Sequence, residues 1–593
     1  MTEAENLNQS DEVAVEAEPT TASSDNDAPK KIDTTSSHLQ RFKIWYSQRK
    51  KWTIPASVLL LILILAAIPL TRYNLAGLVV KHDLSVRVID ATANTPVSGA
   101  TVSIGPASAE TDGTGKAVLH KVKAGNHSVT FSKKYYKNTT AKLLAPIFSQ
   151  KSVAQVQMTA TGRQVKISVV NTINKKALSG VIIKVADISA KTDRNGSATV
   201  VLPIAPSDQK ATLSLDGFND STVEVKASND KIQDNKYNLT PSGKVYFLSK
   251  LSGKIDVVKT NLDGSGRQTV LAGTGNEQDQ GTVLLAARDW KYLALLSRRA
   301  GNSSTLYLID TSNDSLSTID EGGVDFSLNG WVNDDFVYTV TRGDAQLWQN
   351  GRQSIKSYNA LSKKITALDQ TTASGTSQAD YISELVGPVY TYGDQVFYIK
   401  NWTAAYNVGS LASITSKQAT FNSVKADGSA KRAIKSFGLA SGTQSVDVSL
   451  EERVESPSSI DLKFSDGVKD NFYVYANGQV KDDSNQTADS FYNANYPTYL
   501  QSPSGDQTFW SEARDGKNTL FTGDSSGQNA KQIATLSDYN TYGWYSDNYL
   551  LVSKNSSELY ILPKAGDQPA IKISDYHKPA LTFAGYGGGY GGL

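Results

Sequence analysis

Cysteine is absent from all 593 residues. That excludes disulfides, structural thiolate metal sites and cysteine catalysis, so any exported domain here must be held together by core burial alone. Histidine is nearly as scarce, with five in the chain: His38, His82, His120, His127 and His577. His120 and His127 flank one turn with no third ligand near them in sequence, so no metal centre is expected. Spacings of the H-E-x-x-H, P-loop and EF-hand types are missing. A charge imbalance is missing as well. The net charge is +2, and no nucleic-acid footprint stands out at that balance. Long apolar runs are rare too, for the chain has one, at residues 54–70.

That run is 17 residues without a charge. With Trp52, Thr53 and Thr71 it reaches about 20, enough to cross a hydrocarbon core of ~30 Å as a helix. Trp45, Tyr46 and Trp52 precede it and Tyr73 follows, where interfacial aromatics are expected. Pro55 and Pro69 lie near its ends, where proline costs a helix little. Residues 41–51 carry Arg41, Lys43, Arg49, Lys50 and Lys51. The positive-inside rule then puts the N-terminus in the cytoplasm and everything beyond Arg72 outside. A cleaved signal peptide is the rival reading. Its charged region would run about 50 residues, and no clean A-x-A site follows the run, so a retained signal-anchor is expected. Residues 1–40 hold nine acids and two lysines, with few large apolar residues, the composition of a disordered tail.

Past the anchor the chain reads as β-structure. Leu84, Val86 and Val88 alternate, as do Ala100, Val102 and Ile104, and Val129 with Phe131. About 80 residues on, the plan repeats. Val165, Ile167 and Val169 match Leu84, Val86 and Val88, and Thr192-Asp193-Arg194-Asn195-Gly196 matches Thr111-Asp112-Gly113-Thr114-Gly115. An internal duplication of one β-sandwich is expected. The residues Val88-Ile89-Asp90, Pro96 to Val102, Thr111-Asp112-Gly113 and Ala124-Gly125 before Val129 resemble the carboxypeptidase regulatory-like family, a prealbumin-like sandwich. The second copy departs from it, with Ala177-Leu178 in place of Pro96-Val97 and a longer insert around 203–208. The resemblance implies a non-catalytic spacer or binding module. It does not imply peptidase activity.

The first copy is basic. Between Arg72 and Lys151 there are eleven Lys/Arg and four acids. Lys121, Lys123, Lys133, Lys134 and Lys137 are the expected contacts to an anionic lipid or an anionic wall polymer.

From Lys244 on, a three- or four-strand unit recurs every ~35–55 residues, the period of a β-propeller. Apolar, aromatic-rich strands mark seven units, at 245–248, 292–296, 336–340, 396–399, 460–464, 508–510 and 549–552. Polar turns such as Asn261 to Gly266 and Lys425 to Ser429 close several of them. This part resembles the TolB-like and dipeptidyl-peptidase-type propellers. The first unit lacks an inner strand, and residues 579–585 are expected to supply it and close the ring, which removes two exposed sheet edges.

The expected fold is therefore mainly β. A disordered tail with a basic juxtamembrane segment (1–51) and a single transmembrane helix (52–72) precede two β-sandwiches (82–160 and 163–241). A propeller of about seven blades (244–585) and a Gly/Tyr-rich tail (586–593) follow. Trp402, Tyr406, Tyr492, Tyr496 and Trp544 fall in stretches read as loops, where aromatic faces suit sugar rings or peptide side chains. No catalytic residue, metal or cofactor is expected. The expected role is a single-pass cell-surface protein, bacterial in character, that presents a propeller to an extracellular protein or glycan for adhesion, reception or envelope assembly. The alternative is an envelope hydrolase or accessory subunit with its active site on the propeller face. Glu384, Glu451, Glu452 and Glu455 are its carboxylate candidates, since a glycosidase pair follows no local spacing rule.

Overall fold

The computed structural model describes residues 43, 50–68, 73, 79–148, 152–205, 208–229, 231–405, 417–438, 449–466, 469–514, 516–535, 539–555 and 557–577. They divide into two compact units. The first holds helix Lys50–Ala67, the strand entry at residues 79–83 and the loops 121–127 and 144–149. The second holds the remaining β-structure.

Helix Lys50–Ala67 is 18 residues long, and Pro55 sits inside it rather than in its first turn. Leu59, Leu60 and Leu61 are 62%, 59% and 57% exposed. Three successive positions are about 100° apart on a helix, so the exposed apolar surface goes round it. Among the described residues no helix is long and apolar enough to cross a membrane. The single spanning helix expected over 52–72 is thus not shown. Lys50 and Lys51 fall within the helix, and at 1.5 Å per residue the uncharged part after them covers only about 24 Å. Residues 69–72 lie outside the described residues.

The two sandwiches share one strand order. In the first, Ala107–Glu110, Thr101–Ile104, Gly125–Ser132 and Thr139–Ala145 form one sheet, and Lys116–Lys123, Lys81–Asp90 and Ala154–Met158 the other. In the second, Ile188–Lys191, Ile182–Val185, Asp208–Ser214 and Ser221–Lys226 face Ser197–Leu202, Arg163–Asn171 and Gln233–Leu239 in the same order. The duplicated motif does the same work in both copies. Thr111 accepts from Ala100 N–H at 2.8 Å and donates to Val97 O at 2.6 Å. Thr192 accepts from Val181 N–H at 2.9 Å and donates to Leu178 O at 2.6 Å. Gly115 and Gly196 follow with φ +75° and +69°, and a Cβ there would lie 2.4 Å and 2.7 Å from the carbonyls of Val88 and Val169. Glycine is required at both.

Beyond them stand seven consecutive antiparallel sheets, blades 1 to 7 of a β-propeller. Each of the seven marker runs read from the sequence falls in a different sheet. Blade 1 (Val245–Ser249, Asp256–Thr260, Gln268–Leu271) has three strands among the described residues, and blade 4 has five, from Ala373–Ser374 to Arg432–Gly438. The others have four. The cores lie between neighbouring sheets. Leu285 and Leu308 of blade 2 meet Trp331, Phe336 and Tyr338 of blade 3, and Phe509 and Leu520 of blade 6 meet Trp544 and Leu550 of blade 7. Tryptophan side chains clamp blades together. Trp331 Nε1 donates to Leu285 O at 3.2 Å, and Trp290 Nε1 of blade 2 reaches Trp544 O of blade 7 at 2.9 Å.

The first and last blades meet directly. Asp575, at the end of blade 7, accepts from Arg267 Nη1 at 2.7 Å and from Ser249 Oγ at 2.8 Å in blade 1. His577 N–H donates to Leu248 O at 2.6 Å. The closing segment 579–585 and the tail 586–593 lie outside the described residues.

Candidate functional site

Blade 5 consists of Ser449–Ser456, Ser459–Ser465, Asp470–Ala476 and Gln479–Asp482. Its two sides differ chemically, because residues of a strand alternate between faces. Leu450, Ile460, Leu462 and Phe464 pack with Tyr390, Phe397, Trp402 and Phe421 of blade 4 in one apolar cluster. On the opposite face the strand register sets Glu451 beside Lys463 and Arg453 beside Asp461.

The segment between blades 5 and 6 covers that charged face. It contains the short helix Ala488–Asn493, started by a capping box in which Thr487 Oγ1 accepts from Ser490 N–H at 3.1 Å and Ser490 Oγ accepts from Thr487 N–H at 2.8 Å. The reciprocal bonds satisfy donors that a helix start leaves free. They hold Phe491, 0% exposed, against Phe472 at 6.0 Å.

The next residue, Tyr492, is 49% exposed. Its phenol donates to Glu451 Oε1 at 2.9 Å. Lys463 Nζ lies 2.7 Å from Glu451 Oε1 and 4.7 Å from the Tyr492 ring centroid. The Arg453 guanidinium lies 5.2 Å from the Phe491 centroid and 5.7 Å from that of Tyr492. Burial works against the Lys463 charge, but its bonds to Glu451 and Tyr492 outweigh that and hold the ammonium above the usual lysine range. The result is a fixed group of two cations, a carboxylate and a half-exposed aromatic ring. Such a surface can stack a ring and bond its polar substituents.

The sequence-derived aromatics separate on this background. Tyr492 belongs to the cluster. Tyr496 is half-buried and donates to Asp461 Oδ2 at 2.7 Å. Burial and that carboxylate push its phenol well above the usual tyrosine range. Two expectations are corrected. Trp402 is 4% exposed in the core between blades 4 and 5. Trp544 is 1% exposed and donates Nε1 to Leu500 O at 2.8 Å. Both are blade core, since a large ring at the end of an inner or second strand has the neighbouring sheet to pack on, and neither offers a face to a ligand. Tyr406 lies outside the described residues.

The lysines also separate. Lys121, Lys123 and Lys137 are exposed. Lys133 is partly buried with Nζ donating to Ser98 O, and burial pushes its ammonium down to about 8. Lys134 is ion-paired with Asp187 of the second sandwich. Lys133 is thus committed within the protein and is corrected as a free surface contact, whereas Lys134 stays exposed beside its partner.

Sequence reasoning missed Arg453 and Lys463 and weighed Glu451 only as a hydrolase carboxylate. The signal available was the run Glu451-Glu452-Arg453 opposite Lys463 in adjacent strand patterns, which places opposite charges on one face. Glu452 points the other way, into the apolar blade 4–5 junction, at 2% exposure. Neither of its oxygens finds a partner there, and the nearby Tyr390 phenol and Trp402 indole N–H also lack one. Burial raises the Glu452 carboxyl far above the usual range. Among the described residues no three His, Cys, Asp or Glu side chains gather as metal ligands.

No curated protein matches the chain. Solved structures similar to it are propellers. The β-propeller domain of the Trilobed protease from Pyrococcus furiosus is 12% identical with TM-score 0.31, covering 64% of this chain and 96% of that one. The Pyrococcus horikoshii acylaminoacyl peptidase is 12% identical with TM-score 0.32, covering 63% of this chain and 51% of that one. TolB from Acinetobacter baumannii is 9% identical with TM-score 0.24, covering 55% and 77%. The family model of the Carboxypeptidase regulatory-like domain matches residues 83–159, and the first sandwich is accordingly a member of that domain family.

Proposed function

We propose that this protein is anchored in a membrane by its N-terminal apolar segment and holds its propeller outside the cell as a binding or scaffolding module. The observation that carries the reading is the helix Lys50–Ala67, whose leucines at 59, 60 and 61 are all more than half exposed. Water disfavours such a surface, and a bilayer removes it from water. The five Lys/Arg of residues 41–51 then set the tail inside and the sandwiches and propeller outside. The blade 5 cluster of Glu451, Lys463, Arg453 and Tyr492 is the binding face, and its ligand class is a glycan or a protein side chain. No catalytic role is assigned to it.

Protease added to intact cells tests the topology. It should remove the propeller and spare the tail 1–51, and a fully protected chain would reverse the reading. Glycan and peptide arrays probed with the purified chain test the face, where Tyr492→Ala should lose any signal that the parent chain gives.

A further inference from the structure

The start of the first sandwich brings two loops together. Ala124 N–H donates to Val80 O at 3.1 Å, and Lys121 N–H donates to Asp83 Oδ1 at 3.2 Å, which fixes the loop 121–127 beside residues 80–83. On the other loop, Ile147 O lies 2.8 Å from His82 Nε2. The three segments expose large apolar side chains at one end of the domain: Val79 is 85% exposed, Phe148 80% and Leu144 45%. Lys81, Lys121 and Lys123 are exposed on the same segments. Exposed apolar side chains in a group mark an interaction surface, and lysines among them select an anionic partner. Ten residues, 69–78, separate this end of the domain from the apolar helix. A fully extended stretch of that length reaches at most about 36 Å, so a helix held in a bilayer keeps the patch close to the headgroups.

We propose that Val79, Leu144 and Phe148, with Lys81, Lys121 and Lys123, form a docking patch for an anionic lipid surface. Phe148 and its apolar neighbours enter the headgroup boundary and the lysines meet lipid phosphates. The proposal rests on the anchored reading above and deepens it. It also leaves out Lys133, whose ammonium is engaged within the protein.

The absence of cysteine makes the test direct. Phe148→Cys in the full chain takes one environment-sensitive fluorophore, and Ile204→Cys, 68% exposed in the parent on the second sandwich, is the control. The labelled chains are placed in nanodiscs of phosphatidylcholine alone or mixed with phosphatidylglycerol. The label at 148 should shift to the blue on anionic discs, the label at 204 should not, and Lys121→Glu with Lys123→Glu should abolish the shift. Raised salt should weaken it. A label at 148 that matches the control, or that shifts equally on neutral and anionic discs, overturns the proposal. Failure of the anchor reads differently, as a chain that leaves the membrane on alkaline extraction. In that case the same labels on vesicles of the two compositions still decide the patch, by the presence or absence of the selective shift.

Discussion

Asn171, at the end of the second sandwich's strand Arg163–Asn171, donates its side-chain amide to the phenol oxygen of Tyr549 in blade 7, 2.9 Å away. Its amide oxygen accepts from Ile173 N–H at 2.8 Å and shapes the turn that follows. Asp90 holds the equivalent place in the first sandwich. It accepts from Thr92 N–H and Ala93 N–H at 2.8 and 2.7 Å, and its second oxygen accepts from Gln164 Nε2 of the next domain at 2.8 Å. The duplicated module therefore carries a duplicated joint, in which one buried side chain both ends its own strand and ties its domain to the next. Ile173 adds apolar contact by joining the core of blades 1, 2 and 7.

Tyr549→Phe removes only the joint and should cost about 1 kcal/mol, whereas Asn171→Ala also frees the turn and should cost about 2–3 kcal/mol. Urea unfolding of the two variants gives the comparison. Equal losses would mean that the turn bonds contribute nothing.

Between blades a second arrangement recurs. The Tyr398 phenol donates to Asp369 Oδ2 of blade 3 at 2.7 Å, and Lys400 and Lys431 pair with the same carboxylate at 3.7 and 2.6 Å. Tyr338, Asp320 and Lys356 repeat it between blades 3 and 2, with distances of 3.0 and 2.8 Å to Asp320. Burial would raise the Asp369 carboxyl, but the Lys431 and Tyr398 bonds outweigh it and hold it below the usual range. Stability from such a depressed carboxyl is complete above the unfolded value of about 3.9 and is lost as pH falls below it. Tyr398→Phe should cost about 1 kcal/mol, and Asp369→Ala about 2 kcal/mol because it strands a buried phenol, while Lys400 keeps Glu384 at 2.7 Å. Thermal melts at pH 7 and pH 3 check both. The gap between Asp369→Ala and the parent should narrow in acid.

Glu452 works in the opposite direction. Its folded carboxyl holds a proton far above the unfolded value, so the native state binds more protons and loses stability as pH rises above about 4. Glu452→Met keeps the volume and removes two orphaned oxygens. It should stabilise the propeller by about 1–3 kcal/mol at pH 7 and flatten its stability between pH 5 and 8. A destabilised Glu452→Met would mean that these oxygens bond something in solution.

The propeller was legible because of how its blades are covered. Neighbouring sheets bury both faces of the middle strands, so Val245–Ser249 is buried at all five positions and Thr305–Asp310 at its first five. Such strands read as short continuous apolar runs. The sandwich repeat was legible because Thr111 and Thr192 must each bond two fixed backbone groups. The blade 5 cluster was not, because Glu451 and Tyr492 are 41 residues apart in sequence and meet only through the register of blade 5 and the capped helix beside it. Trp402 and Trp544 misled for a related reason. An aromatic next to polar residues reads as a loop ring, and only the neighbouring sheet reveals it as core.

Lys133 supplies a test at alkaline pH. Its Nζ donates to Ser98 O between the strands of the first sandwich. Burial lowers its ammonium to about 8, against a smaller opposing pull from Glu110. An unfolded lysine titrates near 10.4. Between those values the unfolded chain binds the proton and the folded one does not, so unfolding becomes harder as pH rises. The first sandwich should therefore gain stability from pH 8 to pH 10, by up to about 3 kcal/mol from this group. Other lysines and tyrosines titrate in the same window, so the parent curve alone does not isolate it. Lys133→Met does, because it keeps the stem packed and removes the charge. Its melting temperature should exceed the parent's at pH 7.5, and the two should converge by pH 10. Parallel curves across that range would mean that Lys133 keeps its proton in the folded domain, with its ammonium bonded to Ser98 at every pH.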